Sequence, residues 1–261
     1  MLVGAAFFGL FTWTTSRSPT DWAGAAAAFC FFAALLVEAY LLKGKPERTW
    51  YEGRAGAESI KTISWRYMMG AEPFGLEGNQ TEVDDVFLRR LDDVLSVLKD
   101  LDLVLEQSVG DQITPAMRAV RAADLEKRKS MYESDRVSSQ QDWYAKKARW
   151  NRDRAVRWTW AMLGVEIVGI IAAILKANGT LRGDLLGLAG ALVAAMAAWL
   201  QTKQHRTLAA AYSVTALELA SVRSRIGHQT TEPDWAKYVA DAEEAFSREH
   251  TLWKASRAVR T

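Results

Sequence analysis

The stretch Trp22–Leu42, WAGAAAAFCFFAALLVEAYLL, carries a single charge, Glu38, in a run of 21 residues. As a helix it would be about 31 Å long at 1.5 Å per residue, which matches the roughly 30 Å hydrocarbon core of a bilayer. It is therefore predicted to cross a membrane. Two more apolar blocks, Trp158–Leu175 and Leu185–Leu200, flank KANGTLRGD, whose Asn178-Gly179 pair is a turn signal. They read as a transmembrane hairpin. Upstream, Leu2–Thr15 would pair with Trp22–Leu42 as a second hairpin, but 14 residues reach only about 21 Å. This looks like the end of a truncated helix; the competing reading, a signal peptide, lacks the Lys or Arg that should precede its apolar run. Strand signals are absent. The predicted fold class is an all-α membrane protein of two transmembrane hairpins, four spans in all, with long cytoplasmic amphipathic helices.

Composition limits the function. Lys plus Arg number 33 against 31 Asp plus Glu, a net charge of +2, too balanced for a nucleic-acid binder. The lone cysteine, Cys30, excludes an intrachain disulfide, and His205, His228 and His250 lack metal-ligand spacing. No nucleophile, base and orienter fall together either. Neither an enzyme nor a cofactor is expected. Several of the 11 tryptophans fall at the ends of apolar blocks, as membrane interfaces place them.

Basic residues set the expected orientation, because Lys and Arg concentrate on the cytoplasmic side. Lys43, Lys45, Arg48 and Arg54 follow the second block, and six cations from Lys146 to Arg157 precede the third. Lys203 and Arg206 follow the fourth, whereas the short loops offer Arg17 and Arg182, with Lys176 at a helix end. Both loops are thus predicted outside the inner (plasma) membrane of a bacterium. Both termini and the segment from 44 to 157 are predicted in the cytoplasm.

At an offset of 158 residues, Lys45, Arg48 and Thr49 superimpose on Lys203, Arg206 and Thr207, along with the apolar pairs. Two such hairpins suggest a duplicated unit. The first would cover residues 1–80. The second would comprise cytoplasmic helices over 81–157, a hairpin over 158–202 and a cytoplasmic tail over 203–261. Its helix over 115–157 has no counterpart ahead of Met1, so the chain is expected to begin partway into the first copy.

Within 81–107, Val83, Phe87, Leu91, Val94, Leu98, Leu101 and Leu105 recur at three- and four-residue steps. They predict a helix capped by Thr81 with Asp84 three residues on, packed in its own domain or in an intersubunit coiled coil. Thr114-Pro115 is a cap followed by proline at the first helical position. One long helix is expected from there into the third block, with Val137-Ser138-Ser139 as a point of interruption. The tail from Pro233 holds Trp235, Tyr238, Phe246, Leu252 and Trp253 among charges, and is read as an amphipathic helix docking on the cytoplasmic domain or lying on the membrane.

Two stretches are distinctive, RAGAESIKTISWRYMMGAEPF from Arg54 to Phe74 and YESDRVSSQQDWYAKKARWN from Tyr132 to Asn151. Both resemble the SLATT family, the two-transmembrane effector domain associated with nucleotide-second-messenger synthases and nucleotide-sensing domains in bacterial conflict systems. Arg54, Glu58, Lys61, Trp65, Arg66, Tyr67 and Phe74 carry the likeness in the first stretch; Tyr132, Arg136, Gln140, Trp143, Tyr144, Lys147 and Asn151 carry it in the second. The resemblance implies a tandem of two such units forming a membrane effector that assembles pores during phage attack. It also implies the lipid bilayer and further copies of the chain as partners, with a nucleotide second messenger or a defence-system protein as the signal.

Read physically, Glu58, Trp65, Tyr67, Tyr132, Gln140, Trp143, Tyr144 and Asn151 form cation-aromatic and salt-bridged packing faces between helices. Arg54, Lys61, Arg66, Arg136 and Lys147 offer the competing reading of a sensing surface, since guanidinium groups suit phosphates. Inside the membrane, Glu166 lies about 12 Å past Trp158 and Glu38 nearer an interface. An intramembrane carboxylate faces a bundle interior or an aqueous path, so Glu166 is a pore-lining candidate or a paired acid joining helices. A non-conducting scaffold that binds a partner protein is the alternative function.

Overall fold

The structure is a computed structural model that describes residues 1–14, 20–44, 46–99, 110–181 and 184–258, less the side chains of 41–52, 97, 99 and 247–258. Arg17, Lys45, Leu101, Leu105, Arg182 and Gly183 lie outside the described residues, as do the side chains of Lys43, Arg48, Thr49, Leu252 and Trp253. All regular structure among the described residues is helical. In chain order it comprises α1 (Leu2–Phe8), α2 (Trp22–Gly44), α3 (Pro46–Met69), α4 (Gln80–Lys99), α5 (Pro115–Arg121) and α6 (Leu125–Met131). A π-helical turn (Tyr132–Ser138) leads into α7 (Ser139–Ala177), then come α8 (Leu185–Lys203), α9 (His205–Arg225), a 3-10 turn (Ile226–His228) and α10 (Glu232–Ala258).

Among the described residues three helical segments are long and apolar enough to cross a membrane, within Trp22–Tyr40, Leu125–Ala177 and Leu185–His228. The first apolar block is not one of them. Only its first seven residues form α1, about 10 Å of helix, which packs against α2 and α8.

Contacts divide the chain into two compact units, Met1–Lys45 with Tyr144–Val214, and Pro46–Trp143 with Thr215–Thr261. The first holds the apolar helices. Gly4 lets α1 approach α2, since a Cβ there would stand 3.4 Å from Cys30 Sγ. In the α7–α8 hairpin, a Cβ at Gly169 would stand 3.3 Å from the Ala189 Cβ. Gly179 at φ +74 makes the turn and Lys176 closes it on Asp184 at 2.8 Å. The small-residue stripe of Gly187, Gly190, Ala194 and Ala198 is exposed, so the hairpin's own close contact runs along a different face of α8.

In the second unit α3 is the shared wall for α4, α5 and α10. Tyr67, Phe74, Val83, Phe87, Leu91 and Ile113 form one core cluster; Met69, Tyr132, Val137, Trp235 and Val239 belong to another. The seam of α4 is thereby buried within one chain. Its cap is corrected from Thr81 to Asn79, whose Oδ1 accepts from Thr81 N at 3.1 Å. Asp84 does not close a capping box, because it accepts from Tyr67 Oη at 2.7 Å and pairs with Arg118 at 2.7 Å. Thr114 caps α5 as expected. The single long helix from Pro115 is corrected as well: α5 stops at Arg121, and Asp124 caps a new helix by accepting from Lys127 N at 2.8 Å. Helix then continues from Leu125 through the π turn, ending at Ser138, to Ala177, without a break at Gly164.

Candidate functional site

Two places concentrate chemistry, and each is local to one unit. In the second unit the π turn presents Tyr132 and Arg136 to α3 and α10. Arg136 Nε and Nη2 donate to Glu243 Oε1 and Oε2 at 2.8 and 2.7 Å, Tyr132 Oη donates to Oε1 at 2.9 Å, and Thr62 Oγ1 donates to Oε2 at 3.0 Å. Glu58 lies 3.9 Å from Arg136, and the Phe246 ring lies 5.0 Å below its guanidinium. Glu243 is 0% and Arg136 2% exposed. Burial opposes the Arg136 charge, but the Glu243 carboxylate outweighs it and raises the guanidinium pKa. Burial, then Glu243, pushes the Tyr132 phenol well above its ordinary value. Neither the Arg136 guanidinium nor the Tyr132 phenol titrates near neutral pH.

The other sequence-predicted residues of this unit surround it. Trp65 meets Tyr132 edge-on at 5.8 Å, Lys61 pairs with Glu58 at 3.0 Å, and Arg66 Nη2 donates to the Ala240 carbonyl at 2.8 Å. Arg54 lies 5.5 Å from the Trp143 ring centroid, and Gln140 sits on the first turn of α7. Tyr67 and Phe74, both fully buried, pack 6.0 Å apart in the α3–α4 core. Thus residues from the two recognisable stretches interlock around α3. Of the five expected sensing cations, Arg136 is buried and committed to Glu243, Lys61 and Arg66 have internal partners, and Lys147 belongs to the other unit.

Three buried charged residues of this unit escape the sequence reading. Glu243 is one. Arg121 donates to the Tyr67, Phe74 and Gly75 carbonyls at 2.9, 2.7 and 2.7 Å, and Arg128 donates to the Met69 carbonyl at 2.7 Å and pairs with Glu232. These guanidiniums close the C-terminal end of α3, where orphan carbonyls need donors. Burial lowers the Arg121 pKa, and the residue remains a cation.

The second place is in the membrane unit. Glu166 and Glu38 are exposed in the single chain, and none of the described residues pairs with either. Glu166 stands one turn before Gly169, at the border of the α7–α8 seam, beside exposed Ile167, Val168 and Ile170. Below it, Asn151 Nδ2 donates to the Lys147 carbonyl at 2.9 Å, so its Oδ1 faces His205 Nδ1 at 2.8 Å and fixes the proton on that nitrogen. Tyr144 packs 5.7 Å from Tyr212. Among the described residues no group of His, Cys, Asp and Glu could hold a metal ion.

Comparison with family profiles finds the SMODS and SLOG-associating 2TM effector domain 3 over residues 1–129, and domain 1 of the same series over residues 132–253. The chain is a tandem of two SLATT domains. Arg54 to Phe74 falls in the first domain and Tyr132 to Asn151 in the second, so the buried node joins the two SLATT domains: Arg136 and Glu243 come from one, Thr62 and Glu58 from the other. SLATT domains are two-transmembrane effector domains of conflict systems, and the apolar helices accord with a membrane effector. Comparison with curated proteins and with solved structures gave no match.

Proposed function

We propose that this tandem SLATT protein is an oligomeric effector of the bacterial inner membrane that opens an ion-conducting or membrane-disrupting pore in a conflict with phage. The observation that carries the reading is Glu166. A carboxylate exposed among Ile167, Val168 and Ile170 on a membrane-length helix is expensive to leave against lipid, and nothing described in its own chain covers it. Further copies cover it when the hairpins pack side by side. The exposed stripe Gly187, Gly190, Ala194 and Ala198 gives α8 a face for close approach to a neighbouring copy. Carboxylates gathered around an axis favour cations over anions. The second SLATT hairpin then supplies the path, and α1 with α2 packs around it, four helical segments per chain with both termini in the cytoplasm.

The signal acts on the helices of the second unit. Glu243 holds α10 to α3 and to the π turn, so a nucleotide second messenger or a defence-system protein that competes for this node would free α10. No catalysis, cofactor or nucleic acid is required.

The test is inducible expression of the full-length protein in a bacterium, with membrane potential followed by a voltage-sensitive dye. Rapid depolarisation that Glu166→Gln changes, at equal membrane insertion, is the expected result. Depolarisation indifferent to Glu166→Gln removes the carboxylate from the path. An unchanged potential with inserted native protein, persisting when Glu243→Leu alone breaks the node and frees α10, favours the non-conducting scaffold.

A further inference from the structure

The base of the α7–α8 hairpin is strongly and asymmetrically charged. Between Lys146 and Arg157 the chain carries six cations, Lys203 and Arg206 follow the other arm, and Asp153 is the one carboxylate in these two stretches. The fold brings the two groups to the same depth. Arg206 Nη2 donates to Thr159 Oγ1 at 3.2 Å, and the rings of Trp158 and Trp199 lie 6.3 Å apart. Aromatic faces carry the cations: Arg154 is 4.8 Å over Trp150, and Lys203 is 4.6 Å over Trp199. Asp153 stands 4.0 Å from Arg152, with both side chains well exposed, so the two stretches carry eight cations against one carboxylate. His205 reports the resulting field, since burial, then Arg154 and Lys203, hold its pKa below the ordinary histidine value.

We propose that this collar binds the headgroup phosphate of an anionic phospholipid, with Arg154, Lys203 and Arg206 contacting the phosphate and the acyl chains lying along the exposed apolar surface of α7. The chemistry selects a lipid over a soluble anion because the cations sit where an apolar helix begins. Immediately past Arg157, the side chains of Trp160 and Ile167 are 69% and 58% exposed. A lipid satisfies charge and apolar wall together, whereas free phosphate satisfies only the first. Tryptophan at headgroup level and basic residues just outside a span are the two ordinary marks of such a site. Arg206 spends one donor on Thr159, and its guanidinium has four others.

The experiment reconstitutes the full-length protein in nanodiscs of phosphatidylcholine containing a minor fraction of phosphatidylglycerol. Native mass spectrometry then counts retained lipid, with thermal unfolding followed in parallel. Preferential retention of phosphatidylglycerol is expected, falling about fivefold for each cation removed in Arg154→Gln, Lys203→Gln and Arg206→Gln. Arg154→Lys and Arg206→Lys should keep it, and Arg89→Gln with Arg90→Gln on α4 should leave it unchanged. Equal retention by the triple Gln variant overturns the site, and equal loss in the α4 pair shows net charge alone. Loss in the Lys variants overturns a charge-held headgroup. Stabilisation by inorganic phosphate in pure phosphatidylcholine discs, matching that by phosphatidylglycerol, assigns the collar to free anions and overturns the lipid.

Discussion

Arg136 and Glu243 meet in two hydrogen bonds of 2.8 and 2.7 Å, 107 residues apart in sequence and both shut off from solvent. Such a pair contributes less to stability than its geometry suggests, because desolvating two ions offsets most of their attraction. Breaking it is different: Glu243→Leu alone leaves a buried guanidinium with Tyr132 and Thr62 unmatched, and should cost about 3–5 kcal/mol. Arg136→Met with Glu243→Leu should recover most of that loss. Thermal unfolding in detergent, read by tryptophan fluorescence, gives the double-mutant cycle. A double variant as unstable as the single one would show that the node is held by shape and not by charge.

Asp84 gives an acid limb to the stability of the second unit. Burial would raise its pKa, but hydrogen bonds from Tyr67, Arg118 and Gln80 hold it below the usual aspartate value of 3.8. The folded value is the lower one, so the contribution is complete above the unfolded pKa and is lost as pH falls through the folded pKa. Asp84→Asn should cost about 1–3 kcal/mol at neutral pH. Its deficit should shrink below about pH 4. Denaturant unfolding of native and variant protein at pH 7 and pH 3 measures both; parallel curves at the two pH values would remove the carboxylate from the account.

How much of this was legible follows from range. The apolar blocks, the Thr114-Pro115 start and the seam from Val83 to Leu98 depend on neighbours within a few residues, and a sequence displays them directly. Asn79 and Thr81 are both good cap residues two positions apart, and the structure uses Asn79, whose Oδ1 accepts from Thr81 N. Arg121 and Arg128 look like solvated charges on short helices; their partners are carbonyls 46 to 59 residues away, which no local pattern reveals. Glu243 did leave a trace. Trp235, Val239, Ala242 and Phe246 repeat at helical spacing on α10, and Glu243 falls on that apolar face, where an unpaired carboxylate has no reason to be. The stripe of Gly187, Gly190, Ala194 and Ala198 on α8 is visible in the sequence, but small residues mark a face that can approach another helix without saying whose helix it is.

The hairpin's own close contact predicts a different sensitivity. A Cβ at Gly169 stands 3.3 Å from the Ala189 Cβ, so Gly169→Ala needs only a slight adjustment while Gly169→Leu must part α7 from α8. The larger change should cost about 1–3 kcal/mol. Gly164, on the same helix with nothing within 4 Å, should accept leucine without loss. Thermal unfolding of the three variants in one detergent separates packing from a general effect of leucine.

Gln204 joins α8 to α9 at φ +50, a left-handed conformation that a residue with a Cβ adopts at a cost. Its N–H still bonds to the Leu200 carbonyl at 3.0 Å, so the geometry is held by the two helices. Gln204→Gly relieves the strain but loosens the unfolded chain, for a net gain of about 0–1 kcal/mol. Gln204→Val, β-branched, should lose about 1–2 kcal/mol. Equal stability of the Gly and Val variants would mean that the joint adopts another conformation.

His205 follows that joint, buried against Asn151 and Trp150. Burial first, then the Arg154 and Lys203 charges, holds its pKa below 6.5. Its folded value is the depressed one, so the stability it contributes is complete above the unfolded pKa and declines as pH falls through the folded pKa. His205→Gln should therefore flatten the stability profile on the acid side of neutrality. Removing the neighbouring charges gives the sharper measurement: in Arg154→Gln and Lys203→Gln the His205 imidazole, followed by NMR of histidine-labelled protein, should titrate at higher pH than in the native chain. Asn151 and Trp150, which pack against the imidazole, are kept in both variants, so the shift reads the field of the cation collar. An imidazole that titrates at the same pH in both variants would leave burial as the whole cause.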